Sequence, residues 1–568
     1  MKKFLTLAVF AVFCQSAFCA GYTAKTDPVL KTMEAEIKRS MPKLKKAKEP
    51  VYFLSYYIND TSASTFLAVL GGVQQMKSRY ASLDTEARAG SRRMDNTRKI
   101  KEINFDLATT DIQDSAAAPL EADTKVLRQI LWLDTEETVK KAQEMFQKVK
   151  TNSLTAAARS DDSDDFSAPL PPISHYDSAQ MPVFDEEVVK DQLKEYSLMF
   201  KGYDFIFTSQ VVLSITVENI YYVNSEGAKI KRPRVLMRLS YAITSRNQDG
   251  MQLERVQNYD FIDINNMPSP DIVKADMQKS IAELKALQNA PVADTFHGPA
   301  ILKNRATGVF FHEILGHRIE GHRQKDDDFG QTFTQKLGQQ VISPIISVSD
   351  NPKLREFKGI PLRGFYLFDD EGVPAQDVSI IKDGILKGFL MSRSPIKGFP
   401  QSNGHGRKEP GFSPVSRMGI TIIDAKETVS YGELRQKLIE EIKKQGKPYG
   451  LIIEDISGGF TRMDTYGPQS FKVKPLLVYK VYPDNRPDEL IRGADIVGTP
   501  LASFNKIIAA ADDSDVFNGN CWAESGWVPV SAIAPSVLVS EIEVEKVEKS
   551  YDSPPILPPP GAAIKEAK

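Results

Sequence analysis

The segment FFHEILGHRIEGH holds three of the chain's six histidines, His312, His317 and His322, each five residues from the next. In a regular α-helix each residue turns the chain by about 100°, so the first two side chains would point about 140° apart. Two imidazoles that far apart cannot both approach one metal ion to the zinc–nitrogen bond length of about 2.0–2.1 Å. A π-type turn would bring them back onto nearly one face, and Gly316 lowers the cost of that distortion because it lacks a Cβ. The spacing therefore permits a shared metal only if the helix is irregular here.

Taken alone, the pattern H-E-x-x-x-H is weak, because an amphipathic helix can carry it by chance. In that alternative, His322 and Arg323 lie on an exposed helical face. The neighbouring side chains instead predict a buried segment, since they are large and apolar: Val309, Phe310, Phe311, Ile314 and Leu315. Buried imidazoles and a buried Glu313 need polar partners. Burial therefore favours a metal site over a solvated helix.

Length and charge bound the class of protein. A chain of 568 residues is long enough for two or more domains. With 41% apolar residues, 26% charged residues and a formal net charge of -2, the composition is that of a globular protein. The sequence has no basic run that would neutralise phosphates, so we expect no nucleic-acid partner.

The first twenty residues, MKKFLTLAVFAVFCQSAFCA, have two lysines, a short apolar run and a small-residue end at Ala20. This order is typical of a secretory signal peptide over 1–20, cleaved near Ala20, and the apolar run is too short to span a bilayer. An uncleaved anchor is the alternative. Phenylalanine precedes both Cys14 and Cys19, which argues against a lipoprotein. We therefore expect an exported protein, periplasmic or extracellular, with no stable membrane insertion.

Removal of the signal peptide would leave Cys521 as the only cysteine of the mature protein. A lone cysteine cannot form an intramolecular disulfide. In an oxidising compartment such a thiol is expected to be buried, paired between chains or bound to a metal. The sequence alone leaves these three states open.

The order of apolar and polar residues predicts an α+β protein. We expect an N-terminal α/β domain over 21–290, followed by a β-rich C-terminal domain over 291–548 that carries the histidine helix. Within the first domain, LEADTKVLRQILWLDTEETVKKAQEMFQKVKTN predicts a pair of helices, and the acidic, proline-bearing stretch 160–175 predicts a solvated loop or hinge. The proline-rich end, 549–568, predicts a disordered tail.

A series of segments resembles, in one order, the TldD/PmbA family of zinc metallopeptidases, historically called modulators of DNA gyrase. The segments are HEILGHRIEGH, LFDDEGVPAQDVSIIKDGILKGFLMSRS, NGHGRKE, PVSRMGIT, SGGFT, PLLVYKVYPD and CWAESGWVPVSAIAPSVLVSEIEV. The resemblance covers about 291–547 strongly. The earlier part is similar more loosely, as in ASLDTEARAGSRRMDNT and LRQILWLDTEETVKKA.

The resemblance implies a ligand set and a catalytic group. In the family, both histidines of the motif and a cysteine near the C-terminus hold the metal, which implies His312, His317 and Cys521 here. One zinc ion per chain with water in the fourth position is the arrangement of catalytic zinc sites. Glu313, which follows the first ligand, is then the general base. A metal would also explain the solitary cysteine.

Other residues of these segments have less defined roles. By its spacing His322 is an alternative third ligand, although this family position is commonly acidic, so the sequence departs from the pattern there. Glu320 is a candidate for orienting a metal-bound histidine, and a weaker one for binding the metal. The matching turns also contain candidate substrate-binding residues, namely His405, Arg407, Gly458 and Gly459. For His405, ordinary loop structure is the alternative.

The function that the resemblance implies is hydrolysis of unfolded or short peptides. Such peptides would bind in extended form, by adding a strand to an exposed sheet edge. Family members are dimers, so we expect a homodimer or a heterodimer with a homologous subunit. The alternative is a catalytically silent peptide-binding or partner subunit of such a dimer. Gyrase modulation conflicts with the predicted export and the absent basic surface.

Overall fold

The computed structural model describes residues 23–100, 115–121, 123–155, 161–247, 249–325, 331–462, 470–484, 486–498 and 505–547. The predicted signal peptide, 1–20, and the predicted tail, 549–568, lie outside the described residues. The described helices are α1 Pro28–Leu44, α2 Thr124–Thr155, α3 Glu186–Leu198, α4 Pro270–Asn289, α5 Asn304–Ile314, α6 His322–Lys325 and α7 Tyr431–Lys444, with 3-10 turns at Ile264–Asn266 and Gly316–Arg318.

The described strands fall into a first group before α4 and a second group after it. The first group is β1 Val51–Val69, β2 Gly72–Ser91, β3 Met94–Asp95, β4 Ala116–Ala117, β5 Ser174–Tyr176, β6 Thr208–Asn224, β7 Lys229–Arg246 and β8 Gln252–Phe261. The second is β9 Phe296–Leu302, β10 Ile346–Asp350, β11 Glu356–Phe357, β12 Ile360–Pro361, β13 Val378–Lys382, β14 Ile385–Leu386, β15 Gly406–Arg407, β16 Val415–Ser416, β17 Ile420–Ala425, β18 Gly450–Thr461, β19 Phe471–Val481, β20 Glu489–Ile491, β21 Ala494–Gly498, β22 Ile507–Ala510, β23 Asp515–Ala523, β24 Gly526–Ala534 and β25 Val537–Lys546.

The N-terminal domain is built on one sheet whose long strands pair antiparallel, in the order β2-β1-β6-β7-β8. The short β5 adds to β7 in parallel. Helices α1 and α2 bury apolar side chains against one part of the sheet, including Leu30, Met33 and Leu131. Helices α3 and α4 cover another part, through residues such as Leu193 and Met277. The α+β fold class is confirmed, with an antiparallel N-terminal sheet.

The predicted pair of helices is a single helix, α2, which runs for 32 residues. Inside this helix the Thr135 hydroxyl donates to the Leu131 carbonyl one turn earlier, at 2.6 Å, and lies 2.6 Å from the Tyr56 hydroxyl on the sheet. Thr135 is therefore accommodated within a continuous helix.

The C-terminal domain has two large sheets, with α5 between them, and two small two-stranded sheets, β11-β12 and β15-β16, among the described residues. Strands β18, β9, β25, β21 and β19 form a closed ring, because β18 also pairs with β19. The second sheet has the order β14-β13-β10-β17-β24-β23. Helix α5 contacts β18 and β19 of the ring and β23 and β24 of the other sheet. Its apolar residues are fully buried, so the segment that carries His312 belongs to the core.

The described part of the stretch predicted as a solvated loop, 161–175, is irregular up to residue 173; Asp161, Asp165 and Phe166 are buried, whereas Asp162 and Asp164 are exposed. The Phe166 ring lies between two guanidinium groups, with Arg88 Cζ 3.8 Å and Arg393 Cζ 4.0 Å from its centre. The Asp165 carboxylate accepts a hydrogen bond from Arg98 Nε at 2.8 Å, and Asp161 accepts one from the Lys397 amide at 2.8 Å. The stretch therefore joins the two domains.

Buried charges also line the contact between the domains. Arg232 of β7 donates to Asp370, and Lys408 pairs with Asp84 of β2. Glu371 lies in the same region, fully buried, and accepts a hydrogen bond from the Arg393 amide at 2.7 Å. Burial and the neighbouring carboxylate of Asp369 raise the pKa of Glu371 to about 8. Burial also raises the pKa of Asp369, so this pair of carboxyls holds a proton to higher pH than exposed carboxyls do.

The raised pKa of Glu371 predicts a pH dependence of stability. A carboxyl that holds its proton more tightly when folded stabilises the protein at pH values below its ordinary pKa of 4.5, and this contribution is lost as the pH rises through about 8. We expect the melting temperature to fall between pH 6 and pH 9, and Glu371→Gln to reduce that fall, because the amide is neutral throughout. Calorimetry at both pH values measures the effect. The exposed Glu427→Gln is the control, and equal slopes in Glu371→Gln and wild type would refute the assignment.

Candidate metal centre

The chain leaves its regular helical path between the two histidines. Helix α5 ends at Ile314, Leu315 follows with φ -109° and ψ -51°, and Gly316–Arg318 form a 3-10 turn. The π-type turn that we expected is therefore wrong. The helix terminates instead, and the tighter turn places the His312 and His317 rings 5.1 Å apart between centroids and at 82° to each other. The helix is irregular between the two histidines, as expected, but the irregularity is a helix end followed by a 3-10 turn.

Gly316 is required for packing at this turn. A Cβ at this position would lie 2.0 Å from the Sδ atom of Met418, far inside van der Waals contact. The backbone φ of Gly316 is not positive. Its small size therefore lets Met418 close over the turn, and left-handed geometry is not needed.

Cys521 on β23 completes the group. Ligand atoms of His312, His317 and Cys521 all lie within 4.8 Å of one another, and the three residues are buried. The Cys521 Sγ atom lies 3.3 Å from His317 Nε2. Nitrogen at about 2.0–2.1 Å and sulfur at about 2.3 Å from a tetrahedral zinc ion lie about 3.3–3.6 Å apart, so the donor set and spacing fit zinc. The part of the chain that the structure describes holds no second group of this kind.

Opposite charges hold the three side chains together. Burial opposes ionisation of Cys521, yet the imidazoles of His317 and His312 keep the thiol pKa well below its usual range. Burial also lowers the pKa of His317, but the Cys521 thiolate and the Glu320 carboxylate outweigh it and raise the pKa to about 10. The cysteine is therefore a thiolate, which is the form that binds metal.

Glu320 and two arginines support the ligands from behind. Glu320 Oε2 lies 3.3 Å from His317 Nδ1 and accepts a hydrogen bond from Arg323 Nε at 2.8 Å. Its other oxygen lies 3.5 Å from Arg417 Nε, and Arg417 Nη2 donates to the Cys521 carbonyl at 2.8 Å. Although burial raises the pKa of Glu320, His317 and Arg323 lower it to about 2. One buried carboxylate thus connects the histidine segment to the cysteine strand.

Glu313 lies beside the ligand group and beneath β18. A Cβ built on Gly459 would lie 2.5 Å from Glu313 Cγ and 3.1 Å from its Oε1, so the strand backbone covers the carboxylate closely. Burial raises the pKa of Glu313, and the two imidazoles partly offset that rise. A carboxylate with a raised pKa next to metal ligands is suited to accepting and returning a proton.

Other candidates from the sequence lie elsewhere. His322 Nε2 is 3.7 Å from Glu524 Oε2, and His322 does not belong to the ligand group. His405 is fully buried, with Nε2 3.1 Å from Asp350 Oδ1. Arg407 is also buried, and its Nη1 donates to the Met418 carbonyl at 2.6 Å. The structure places His405 and Arg407 in supporting positions inside the domain.

The two glycines differ from each other. Gly459 lies over Glu313, whereas a Cβ on Gly458 would meet nothing within 4 Å.

Sequence reasoning missed Arg417, Arg323 and Arg318 as parts of the site. Arg318 and Arg323 flank Glu320 in the motif, but nothing in a single sequence distinguishes a buried arginine from an exposed one. Arg417 lies in PVSRMGIT, and only its segment was noticed.

Comparison with known proteins agrees with this geometry. Residues 295–546 match the model described as the PmbA/TldA metallopeptidase C-terminal domain. This part of the chain is therefore similar to the C-terminal domain of the TldD/PmbA metallopeptidases. The metal group, His312, His317 and Cys521, lies inside the matched region.

Similar curated proteins are named as metalloproteases. A "Metalloprotease TldD homolog" of Haemophilus influenzae is 30% identical over 250 residues, 43% of this chain and 48% of that protein. A "Metalloprotease" of Archaeoglobus fulgidus is 28% identical over 285 residues, 50% of this chain and 60% of that protein. A "Zinc metalloprotease TldD homolog" of Saccharolobus solfataricus is 26% identical over 363 residues, 62% of this chain and 71% of that protein. The alignments with the first two span about half the length of those relatives.

Similar solved structures extend the likeness in fold to most of the chain. TldE from Thermococcus kodakarensis has a TM-score of 0.58 at 14% identity and covers 90% of this chain and 100% of that one. A candidate modulator of a DNA gyrase from Thermotoga maritima has a TM-score of 0.56 at 16% identity, with the same coverage. At these identities the likeness establishes the fold alone.

The contacts of Glu320 predict its effect on metal binding. We expect Glu320→Gln to weaken zinc binding by about 10–100-fold, because His317 loses the carboxylate that orients its ring. Loss of the carboxylate from between two buried guanidinium groups should also destabilise the fold by about 3–5 kcal/mol. Competition with a chelating dye measures the affinity, and urea unfolding measures the stability.

Glu524→Gln is the matched control for Glu320→Gln. Glu524 binds the same Arg323, at 2.7 Å through each of its two oxygens, but has no contact with His317. Its zinc affinity should stay close to that of wild type. Equal losses of zinc affinity in the two variants would show that Glu320 has no special role.

Proposed function

We propose that the protein is a zinc-dependent peptidase in which His312, His317 and Cys521 hold one zinc ion and Glu313 is the general base. The observation that carries the proposal is the buried ligand group with a carboxylate of raised pKa beside it. The match of this region to a metallopeptidase family supports it. The silent-subunit alternative is disfavoured, because both the ligand set and Glu313 are intact.

Each side chain then has a role in hydrolysis. Zinc, when bound, lowers the pKa of a bound water to about 7 and polarises the peptide carbonyl. Glu320 fixes the His317 ring through Nδ1, so that Nε2 points toward Cys521. Glu313 accepts the proton of the attacking water and returns it to the leaving amine. The tight cover by Gly459 limits the positions that the Glu313 carboxylate can take.

The free edge of β18 supports binding of an extended peptide. Strand β9 pairs with β18 only over Leu451–Ile453. Beyond that, from Glu454 to Thr461, no strand in the described residues pairs with β18 on this side. The edge is exposed at Gly459 and Phe460, directly above Glu313. A peptide added here as a strand would bind through its backbone, which suits unfolded or short substrates.

Export and assembly are further parts of the proposal. Residues 1–20 have the order of a signal peptide, so we place the mature protein in the periplasm or outside the cell. None of the described helices has the length and apolarity to cross a bilayer. The family resemblance supports a homodimer or a heterodimer with a homologous subunit. N-terminal sequencing of the mature protein checks the cleavage near Ala20.

Variants at Glu313 and Cys521 separate metal binding from proton transfer. Glu313→Gln should retain one zinc ion per chain and lose about 10²–10⁴-fold in peptide cleavage, because only the base is removed. Cys521→Ala should lose both zinc and cleavage. Elemental analysis gives the zinc content, and hydrolysis of an unfolded protein substrate gives the activity. Cleavage at the wild-type rate by Glu313→Gln would eliminate it as the base, and zinc-free wild-type protein would support the silent-subunit alternative.

The two glycines of β18 provide a matched pair. Gly459→Ala adds a methyl group that must displace the Glu313 side chain, and a displacement of about 1 Å costs about 100-fold in rate. Gly458→Ala adds the same group where nothing lies within 4 Å. We expect zinc content to be unchanged in both variants and cleavage to fall only in Gly459→Ala. Similar rates in the two variants would show that Gly459 does not fix the base.

A further inference from the structure

Arg318 is a buried cation with unused hydrogen-bond donors beside the general base. Its residue is 1% exposed. Its Nη1 donates to the Glu313 and Ile314 carbonyls, each at 3.0 Å, and to Thr461 Oγ1 at 3.0 Å. Its Nε and Nη2 are buried and have no hydrogen-bond partner in the described part of the chain. Two donors of this guanidinium are therefore left for a group that the protein itself does not supply.

Other arginines of equal burial each have a carboxylate partner. Arg393 pairs with Glu226 at 2.8 Å, and Arg417 lies 3.5 Å from Glu320. Arg318 makes no ion pair with any described residue. The guanidinium group of arginine keeps its charge at neutral pH. The Glu313 carboxylate attracts the guanidinium without forming an ion pair, so Nε and Nη2 stay without a carboxylate partner among the described residues and the buried charge keeps a desolvation cost.

A purely structural role explains only part of this arrangement. Nη1 caps carbonyls at the C-terminal end of α5, which a cation does favourably. A capping role accounts for one nitrogen and leaves Nε and Nη2 without purpose. In arginine these two N–H groups point in parallel and match the two oxygens of a carboxylate.

The position of Arg318 relates it to the proposed peptide strand. Side chains of a strand alternate between faces, so Gly459 and Thr461 share one face of β18 and lie about 6.6 Å apart along it. Glu313 lies beneath Gly459, and Arg318 is bonded to Thr461. If a peptide pairs with this edge and its scissile bond lies at Glu313, the peptide residue two positions further along the strand lies near Thr461. The side chain or terminus of that residue then faces Arg318.

We propose that Arg318 forms a subsite for a carboxylate of the bound peptide, two residues along the strand from the scissile bond. The proposal rests on the proposed peptidase function and adds a substrate preference to it. The carboxylate has two sources, an Asp or Glu side chain and the free C-terminus of a short peptide. A bidentate, charge-assisted pair favours peptides with a carboxylate at this position by about tenfold or more.

Binding and cleavage of matched peptides test the subsite. One pair of labelled short peptides has Glu or Gln at the position two residues from the cleaved bond, and a second pair ends there as free acid or amide. Fluorescence anisotropy with Glu313→Gln protein measures binding without turnover, and wild-type enzyme gives KM and kcat. We expect the acidic member of at least one pair to bind about tenfold more tightly or better, mainly through KM. The pair that shows the effect identifies the source of the carboxylate.

Variants at Arg318 link the preference to this side chain. Arg318→Met keeps the length and removes the charge, so the acidic and neutral peptides should bind equally. Arg318→Lys keeps a charge and should retain part of the preference, which guards against misfolding of the first variant. Arg305→Met, on the first turn of α5, is the control and should keep the full preference.

The outcomes separate the subsite from the peptidase proposal. Wild-type enzyme that cleaves all four peptides alike overturns the subsite and leaves the function intact. Protein that prefers the acidic peptides but cleaves none keeps the subsite and overturns the function. An equal loss of binding for acidic and neutral peptides in Arg318→Met shows a structural cap only, and overturns the subsite.

Discussion

The contact between the Cys521 thiolate and the His317 imidazole, 3.3 Å across 204 residues of sequence, is the interaction on which the rest of the site depends. It brings the end of α5 against β23, and it places a negative and a positive group in a buried region that would otherwise not tolerate either. Glu320 and Arg417 form a second link between the same segments. Glu320 contacts both His317 and Arg417, and Arg417 donates a hydrogen bond to the Cys521 carbonyl. A divalent cation would displace the imidazolium proton of the Cys521–His317 pair, and the Cys521 thiolate would offset one of the two charges of that cation.

The same principle orders the surroundings of the site. Buried arginines occur where two segments must be held together, as in Arg393 beside Phe166 at the domain contact and Arg417 between Glu320 and Cys521. Each of these cations has a carboxylate, and Arg318 does not. The difference coincides with the free edge of β18, where unpaired backbone groups lie beside Glu313, the proposed general base. The proposed base, the free strand edge and Arg318 therefore lie close together along β18.

Much of this arrangement could be predicted from the residues, and some could not. Burial of the histidine segment followed from its apolar neighbours, whereas the residues alone left the state of Cys521 open and only the family resemblance implied it as a ligand. The expected π-type turn was wrong, since packing of Met418 on Gly316 and termination of the helix at Ile314 are tertiary effects. The stretch predicted as a solvated loop is exposed only in part, because Asp165 and Phe166 are buried against arginines more than fifty positions away, which composition does not reveal. His405 fell in a glycine-rich turn, but its carboxylate partner, Asp350, belongs to a different strand.

X-ray absorption at the zinc edge tests the central claim most directly, because it reports the atoms bound to the ion without depending on a substrate. Protein loaded with one equivalent of zinc should show one sulfur at about 2.3 Å and two imidazole nitrogens at about 2.0–2.1 Å, with one further light atom. In Cys521→Ala the sulfur shell should vanish. A spectrum of wild-type protein with only nitrogen and oxygen neighbours would contradict the joining of these two distant segments at one metal ion.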